Sequence, residues 1–171
     1  MRVRMIASTW LWLARITLAF CLFVSAPAWT TADTQRWNLT DQTGDGWVVT
    51  LFEQPDPAYP GGLRLRLNAR APGVEVDHDR PLSVRDTLNG VWTLPNRSAE
   101  LVQAGQEGIP VGSAQFDTES LIPRPSDVLP LRLALPLSDG SEATLTLGPD
   151  VVAALHALPV PSESSGGDSE A

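Results

Sequence analysis

The stretch that decides the fold runs from Pro130 to Leu147 and reads PLRLALPLSDGSEATLTL. Leucines occupy every second position before the central Ser-Asp-Gly, and apolar and polar residues alternate after it. Alternation with a period of two is typical of strands that have one face on a core and the other in water. The stretch therefore predicts a β-hairpin, and the rest of the chain must supply the surface that covers its apolar face.

The turn of this hairpin is Ser138-Asp139-Gly140, which fits a three-residue loop that ends in a left-handed glycine. Such a loop places Leu135 opposite Ala143 and keeps the apolar residues of both strands on one face. It also places Leu133 opposite Leu145. A two-residue loop would mix the apolar and polar faces, so we predict the longer loop.

Turns of the same class predict two further hairpins. Gln42-Thr43-Gly44 joins the first two candidate strands, and Leu88-Asn89-Gly90 joins a later pair. In both cases the three-residue loop decides which residues lie opposite each other. The predicted pairs are Trp37 with Val49 and Leu39 with Trp47 in the first hairpin, and Val84 with Leu94 and Asp86 with Trp92 in the second.

A fourth hairpin is predicted between Leu63–Leu67 and Val74–Asp79, across the turn Arg70–Gly73. Its register brings arginines of the first strand opposite carboxylates of the second, which explains the acidic run by cross-strand ion pairs. The predicted pairs are Arg66 with Asp77 and Arg64 with Asp79 on the wet face, and Leu67 with Val76 and Leu65 with His78 on the core face.

We predict one all-β domain over residues 29–158, an antiparallel β-sandwich or closed barrel of about seven to nine strands. Clean alternation in the four hairpins predicts that each sheet has one wet face. Residues 95–128 are rich in Gly and Pro and predict irregular structure, with short strands at Leu101-Val102 and Val111–Phe116. Gly148-Pro149-Asp150 opens a short C-terminal helix, whose apolar stripe is Val151, Val152, Leu155 and Leu158.

The two ends of the chain differ from the domain. Residues 1–28 combine an arginine-containing start, the apolar run Ile16–Val24 and small residues at Ser25–Ala28, which is typical of a secretory signal peptide. We expect cleavage after Ala28, and the sequence leaves open whether the segment is cleaved or kept as an anchor. Residues 159–171 are small, polar and acidic, and they predict a disordered tail.

Composition excludes several classes of function. The one cysteine, Cys21, lies in the apolar run, so the mature chain has neither disulfides nor thiol chemistry. Lysine is absent, which removes Schiff-base mechanisms. From residue 29 onward nine arginines stand against twenty acidic residues, which leaves a formal charge of −11. Nucleic acids and anionic membranes are therefore poor partners, and no membrane span is expected after signal cleavage.

Candidate chemistry centres on the acidic run Asp77–Arg80. Its carboxylates and histidine have the chemistry of a divalent metal site or of a hydrolase with His78 as base, but alternating side chains on a strand do not converge. The turn Asp41–Asp45 is a second oxygen-rich stretch, and Phe52 stands where a calcium loop needs its last glutamate. We therefore assign no catalytic, cofactor-binding or metal-ligating residue, and we expect no cofactor.

Four landmarks carry a resemblance to a known family. They are Asp45-Gly46-Trp47, Leu63–Leu67, Asp77–Leu82 and Leu129–Leu137. Their order resembles an uncharacterised family of small secreted cyanobacterial proteins, defined by a domain of unknown function, and the likeness covers most of residues 36–158. The resemblance implies an exported protein in a periplasm or thylakoid lumen, and it supplies no catalytic residues.

The leading interpretation is an exported, non-catalytic accessory or binding protein with an unknown protein partner. It would present residues 95–128, or a wet sheet face, to that partner. The candidate interaction residues are Asp77, His78, Asp79, Arg80 and Trp92. Two alternatives stay open, namely a hydrolase that uses His78 and a carbohydrate- or small-ligand-binding β module. The second requires an exposed aromatic platform formed from Trp37, Trp47 or Trp92.

Overall fold

The computed structural model of the chain describes residues 34–102, 105 and 107–160. The predicted signal peptide and the tail from residue 161 onward lie outside the described residues. Eight β-strands, one 3₁₀ turn at Ser98–Leu101 and one α-helix, α1 at Pro149–His156, make up the regular structure of the described part. The strands are β1 (Gln35–Thr40), β2 (Gly46–Glu53), β3 (Leu63–Ala69), β4 (Leu82–Asp86), β5 (Val91–Leu94), β6 (Ser113–Asp117), β7 (Leu131–Pro136) and β8 (Glu142–Thr146).

The strands form two antiparallel sheets of four strands each. Sheet A has the order β1-β2-β3-β6, and sheet B has the order β5-β4-β7-β8. Single bridges join the sheets at both edges, between Asp41 and Leu145 and between Asn96 and Phe116. Because isolated bridges and no continuous ladder join the two sheets, the described strands make a sandwich and not a closed barrel. The all-β prediction with seven to nine strands and a C-terminal helix is confirmed.

One hydrophobic core lies between the sheets. It combines the inward side chains of both sheets with the buried stripe of α1, in which Val151 and Leu155 have no exposed surface. Leu121, from the predicted irregular segment, is also completely buried in this core. The helix begins at the predicted proline, and the stripe predicted from the sequence is the one that packs inward.

The hairpin at Pro130–Leu147 has the predicted register. Leu133 lies opposite Leu145 and Leu135 opposite Ala143. Gly140 has a φ of 85°, as the left-handed end of a three-residue loop requires. The first hairpin is also confirmed, because Trp37 pairs with Val49 and Leu39 with Trp47.

The register predicted for the β4–β5 hairpin is wrong by two residues. Val84 lies opposite Trp92 and not Leu94, and the left-handed loop residue is Asn89, with a φ of 68°, in place of Gly90. The Asp86 carboxylate fixes this earlier loop, since Oδ1 accepts the amides of Leu88 at 2.8 Å and Gly90 at 2.6 Å. A shift of two residues leaves every side chain on the same face, so alternation alone could not choose between the registers.

The predicted hairpin between Leu63–Leu67 and Val74–Asp79 does not form. Strand β3 pairs with β2 on one side and with β6 on the other, so both of its edges are occupied. Arg66 consequently lies opposite Gln115, and Val76 makes a single bridge to Leu137 in sheet B. Strand β6, Ser113–Asp117, takes the place beside β3 because its apolar side chains point into the core. Its polar side chains lie beside the arginines of β3 on the outer face of the sheet.

Candidate functional site

A buried polar cluster of the described residues lies on the outer face of sheet A, where Arg64 is completely buried. Its guanidinium makes a two-point ion pair with Glu100, in which Nε donates to Oε2 at 3.0 Å and Nη2 to Oε1 at 3.2 Å. Nη2 also donates to the carbonyl oxygen of Pro60 at 2.7 Å. A buried charge is costly unless it is paired and hydrogen-bonded, so these partners are what allow the Arg64 side chain to be buried.

Gln115 connects this ion pair to a second arginine. Its Nε2 donates to Glu100 Oε2 at 2.5 Å, and its Oε1 accepts from Nε and Nη2 of Arg66 at 3.0 and 2.7 Å. The Arg66 guanidinium carbon lies 4.6 Å from the ring centre of Phe52, which is a cation–π distance. Burial lowers the pKa of the Arg66 guanidinium, and the Glu100 carboxylate acts in the opposite direction.

Asp117 completes the network at the end of β6. Its Oδ2 accepts from Nη2 of Arg97 at 3.2 Å and lies 3.7 Å from Nη1 of Arg64, while its Oδ1 accepts the amide of Glu119 at 3.0 Å. The network thus sets three arginines against two carboxylates, and the neutral Gln115 side chain holds Arg66. It holds residues 54–62 and 96–101, which we call the cover, against the outer face of sheet A, so its role is structural.

His78 protects the free edge of β6. Its Nε2 lies 2.9 Å from the carbonyl oxygen of Ser113, and because a carbonyl can only accept, Nε2 carries the proton and donates. Arg97 continues the protection along the same edge, where its amide donates to the carbonyl of Gln115 at 2.7 Å. The core-facing position predicted for His78 opposite Leu65 is wrong, since Leu65 pairs with Phe116 and His78 is half-buried, but the ring is hydrogen-bonded and covers a strand edge.

The other members of the acidic run stay near the surface. Asp77 Oδ1 accepts the amide of Asp79 at 2.9 Å in a local turn, and Arg80 makes an exposed ion pair of 3.5 Å with Glu142. The predicted ion pairs from Asp77 and Asp79 to the arginines of β3 are absent, because those arginines bind Glu100, Gln115 and Asp117. Within the described residues, no group of three or more His, Cys, Asp and Glu side chains is placed to hold a metal ion.

Two of the three candidate tryptophans are core residues. Trp47 and Trp92 are 1% and 8% exposed, and each indole N–H is bonded, to Asp41 Oδ2 at 3.0 Å and to the Pro123 carbonyl at 2.7 Å. Trp37 is half-buried against the core. An aromatic platform for sugars would therefore rest on Trp37 alone, and Trp92 lies in the core, away from the surface run Asp77–Arg80 with which it was predicted.

Asp41 organises the first turn. Burial raises the pKa of its carboxyl, but hydrogen bonds from the Thr43 hydroxyl, the Trp47 indole and the amides of Thr43 and Asp45 outweigh burial and leave the pKa below its usual value. The oxygen-rich turn noted in the sequence thus uses its carboxylate for four internal hydrogen bonds, of 2.7 to 3.0 Å. This arrangement is turn chemistry and not cation binding.

A shallow groove of about 420 Å³ lies beside the turn of the β7–β8 hairpin. Its lining combines two small residues, two apolar residues and two carboxylates, namely Gly73, Ser138, Val74, Leu137, Glu75 and Asp139. The Ser138 amide donates to the Glu75 carbonyl at 3.0 Å, so backbone bonds hold the two walls together. The groove has the volume of a small-ligand site, but its carboxylates are the only charged groups that line it.

The outer face of sheet B is poor in carboxylates, since Glu142 at the start of β8 is the one acidic residue among its outward strand positions in the described part. Eight outward positions form two rows across all four strands, and these eight are exposed or half-buried, while Pro136 and Glu142 form a shorter third row on β7 and β8. The first row is Thr93, Ser83, Ala134 and Thr144, and the second is Val91, Arg85, Arg132 and Thr146.

Two arginines face each other in the second row. Arg85 of β4 and Arg132 of β7 are directly opposite in the antiparallel register, and both are exposed. Neither makes an ion pair with a residue of the described part, and the one side-chain hydrogen bond of Arg85 runs from Nε to Ser83 Oγ at 3.3 Å. Like charges directly opposite each other repel, so the fold tolerates a local cost at this position.

The sequence placed both arginines on outward faces but could not bring them together. Arg132 alternates with leucines in the opening stretch, and Arg85 follows Val84 in a predicted strand. The pairing of β4 with β7 joins strands separated by more than 40 residues, and local alternation does not determine such a neighbour. The signal that the sequence did contain was an arginine on the wet face of each of two predicted strands.

Comparison with protein families matches residues 29–158 to the family described as "Protein of unknown function (DUF3122)". Neither the curated proteins nor the solved structures that were searched gave a match. No helix in the described part of the chain is long and apolar enough to cross a membrane.

Proposed function

We propose that this chain, which belongs to the DUF3122 family of proteins of unknown function, is an exported, non-catalytic binding protein whose binding surface is the outer face of sheet B. The observation that carries the proposal is the pair Arg85 and Arg132, exposed, directly opposite and without an acidic partner in the described residues. A protein with twenty acidic residues could neutralise such a pair easily. An acidic group of another molecule would neutralise the pair when it binds.

The other surface considered from the sequence, residues 95–128, supports this choice of face. Much of that segment serves sheet A, because Ser98, Gln115 and Thr118 are each at most 2% exposed. The Glu100 and Asp117 carboxylates of the same segment are already bound to arginines. The cover therefore buries outward side chains of β3 and β6, while the outer face of sheet A stays open at β1, where Arg36 and Asn38 are exposed. On sheet B the two rows are open across all four strands.

A non-catalytic role is supported by what the two histidines do. His78 Nε2 is bonded to the Ser113 carbonyl, and His156 Nδ1 lies 2.8 Å from the Pro125 carbonyl. Each ring thus has one nitrogen committed to the backbone, and no carboxylate of the described residues orients either ring. A hydrolase that used His78 as base would use Nδ1, and no hydroxyl group of the described residues is hydrogen-bonded to that nitrogen.

Export is proposed from the sequence of residues 1–28, which has the basic, apolar and small-residue parts of a signal peptide. The destination, a periplasm or thylakoid lumen, is proposed from the likeness to secreted cyanobacterial proteins. Export is tested by N-terminal sequencing of the protein isolated from its source. A start at residue 29 supports cleavage after Ala28, and a retained residue 1 favours the anchor.

Site-specific cross-linking tests the binding face. In a Cys21→Ser background, Thr146→Cys on sheet B and Asn38→Cys on the outer face of sheet A each carry one photoreactive label. Both residues are exposed, so the two labels are matched in accessibility. We expect a defined adduct in source cells from Thr146→Cys and none from Asn38→Cys. Equal adducts from both positions, or none from Thr146→Cys, would contradict the proposal.

A further inference from the structure

We propose that Arg85 and Arg132 form a site for the oxyanion group of an acidic saccharide, a sugar chain that carries sulfate or carboxylate. The inference rests on the proposed function, since it names the ligand of the same sheet face. An oxyanion between two guanidinium groups accepts hydrogen bonds from both and cancels their repulsion. The ligand would thus supply negative charge locally at the pair, although the formal charge of −11 from residue 29 onward repels a polyanion from the rest of the protein.

The carboxylates near the two arginines are already bound to other groups. Asp86 is the acidic neighbour of Arg85 in sequence, and its Oδ1 holds the amides of Leu88 and Gly90 in the turn. Glu142, at the edge strand β8, makes its ion pair with Arg80. The two facing arginines therefore keep their charges available to a ligand.

The positions around the two arginines carry hydroxyl groups. Thr93, Ser83, Thr144 and Thr146 lie in the same two rows as the arginines, and the acidic residue of this face, Glu142, makes an ion pair with Arg80. Hydroxyls both donate and accept, so they match the hydroxyl groups and the oxyanions of a sugar chain. Guanidinium and hydroxyl groups on one face are a combination that an acidic saccharide can use throughout.

The side-chain composition of this face favours a saccharide over a protein partner. A stable protein interface has a buried apolar or aromatic centre, and hot spots are mostly Trp, Tyr and Arg. The largest apolar side chain among the eight positions is Val91, at 58% exposure, and no aromatic residue is present. This face has the donors for an acidic ligand and lacks the apolar centre that a protein partner would need.

The experiment measures binding of the purified protein to dextran sulfate and to polygalacturonate by isothermal titration at low ionic strength. Neutral dextran and polyglutamate are the comparison ligands, and inorganic sulfate is the small probe. The variants are Arg85→Gln, Arg132→Gln and their double mutant, with Arg36→Gln as the matched control. Arg36 is also an exposed strand arginine, and it lies on the outer face of sheet A.

We expect at least one acidic polysaccharide to bind, the double variant to bind about tenfold more weakly, and Arg36→Gln to stay within about twofold. Loss of affinity with rising salt should be shallower for the double variant, because fewer ions are displaced. An equal loss in Arg36→Gln would reduce the effect to overall charge and overturn the site. Equal or tighter binding of polyglutamate would overturn the saccharide class and assign the face to an acidic peptide.

The outcomes also separate this inference from the proposed function. If no polysaccharide binds while the Thr146→Cys adduct persists, the ligand class is wrong and the binding face stands. If neither is observed, both fail. Since both arginines are exposed, the variants should fold, and circular dichroism with thermal melting checks this for each one.

Discussion

The outer faces of the two sheets hold arginines in similar places but treat them differently. On sheet A, outward-facing Arg64 has no exposed surface, because Glu100 from the cover and Asp117 from the neighbouring strand neutralise it. On sheet B, outward-facing Arg85 lies opposite Arg132 and remains in water. The comparison teaches that an outward position becomes buried where a second segment supplies the opposite charge, and stays open where it does not.

The largest effect is expected where the cover is anchored. Glu100→Ala leaves the buried Arg64 without its two-point partner, and removing one member of a buried ion pair costs about 3–5 kcal/mol of unfolding free energy. Urea unfolding followed by tryptophan fluorescence measures the loss. Glu107→Ala is the control, because Glu107 is exposed and also lies between β5 and β6. It should change the free energy of unfolding little.

A loss below about 1 kcal/mol in Glu100→Ala would mean that Arg64 can reach water, which would break the contrast between the two faces. Replacing the pair together, as Arg64→Met with Glu100→Leu, should recover much of the loss, since apolar side chains of similar volume often replace a buried pair without cost. Recovery would show that the penalty comes from the unpaired charge and not from a damaged strand.

The next effect concerns the opposite edge of sheet A, at Asp41. Asp41→Asn weakens a carboxylate that accepts four hydrogen bonds, and we expect a loss of about 1–2 kcal/mol at neutral pH. Because the folded pKa of Asp41 is lowered, its contribution is present above the unfolded value and disappears as pH falls through the folded value. Unfolding measured between about pH 6 and 2 should therefore fall less steeply in the variant.

Asp79→Asn provides the control for this pH experiment, since Asp79 is exposed. If the wild type and Asp41→Asn lose stability in parallel below pH 4, the carboxylate of Asp41 is not what holds the turn.

A smaller effect is expected at the β6 edge. His78→Ala removes the hydrogen bond to the Ser113 carbonyl and should cost about 1 kcal/mol, without affecting sheet B. Hydrogen exchange should show faster exchange near the free edge of β6 and unchanged exchange in β4 and β7. His78→Asn, which can still donate, should recover part of the stability, and a failure to do so would point to packing in place of the hydrogen bond.

The smallest effect has the opposite sign. Arg132→Glu turns a like-charge pair with Arg85 into an opposite-charge pair and should stabilise the free protein by about 0.2–1 kcal/mol. Thermal melting at low salt detects it best, and the gain should fade as salt rises. Destabilisation by Arg132→Glu would show that the arginines are not strained by each other, and the main argument for sheet B would be lost.

The sequence predicts local features of the fold better than long-range ones. Alternation and turn chemistry predict the Pro130–Leu147 hairpin with its register, because the neighbours are close in the chain. The same logic paired β3 with Val74–Asp79, which is near in sequence, while the true partner β6 lies some 50 residues away. Loop length does not forbid such a distant partner, since closing a longer loop costs little more.

The binding face shows the same limit. Outward positions of Arg85 and Arg132 follow from alternation, but their opposition requires the order β5-β4-β7-β8, which no local pattern contains. Burial of Arg64 likewise depends on Glu100, from a segment whose Gly- and Pro-rich surroundings predicted irregular structure. Side-chain direction is local, whereas exposure depends on the whole fold.

The most direct test of the account compares two single cysteines in a Cys21→Ser background. Ser98→Cys lies in the cover of sheet A, where Ser98 is 1% exposed, and Ser83→Cys lies in the outer row of sheet B. Reaction with a thiol reagent should be about 100-fold slower or more at Ser98→Cys in the native protein, and equal at both sites in denaturant. Comparable native rates would show that the cover leaves the outer face of sheet A open over β3 and β6 as well, and would contradict the contrast on which the assignment of sheet B as the binding face rests.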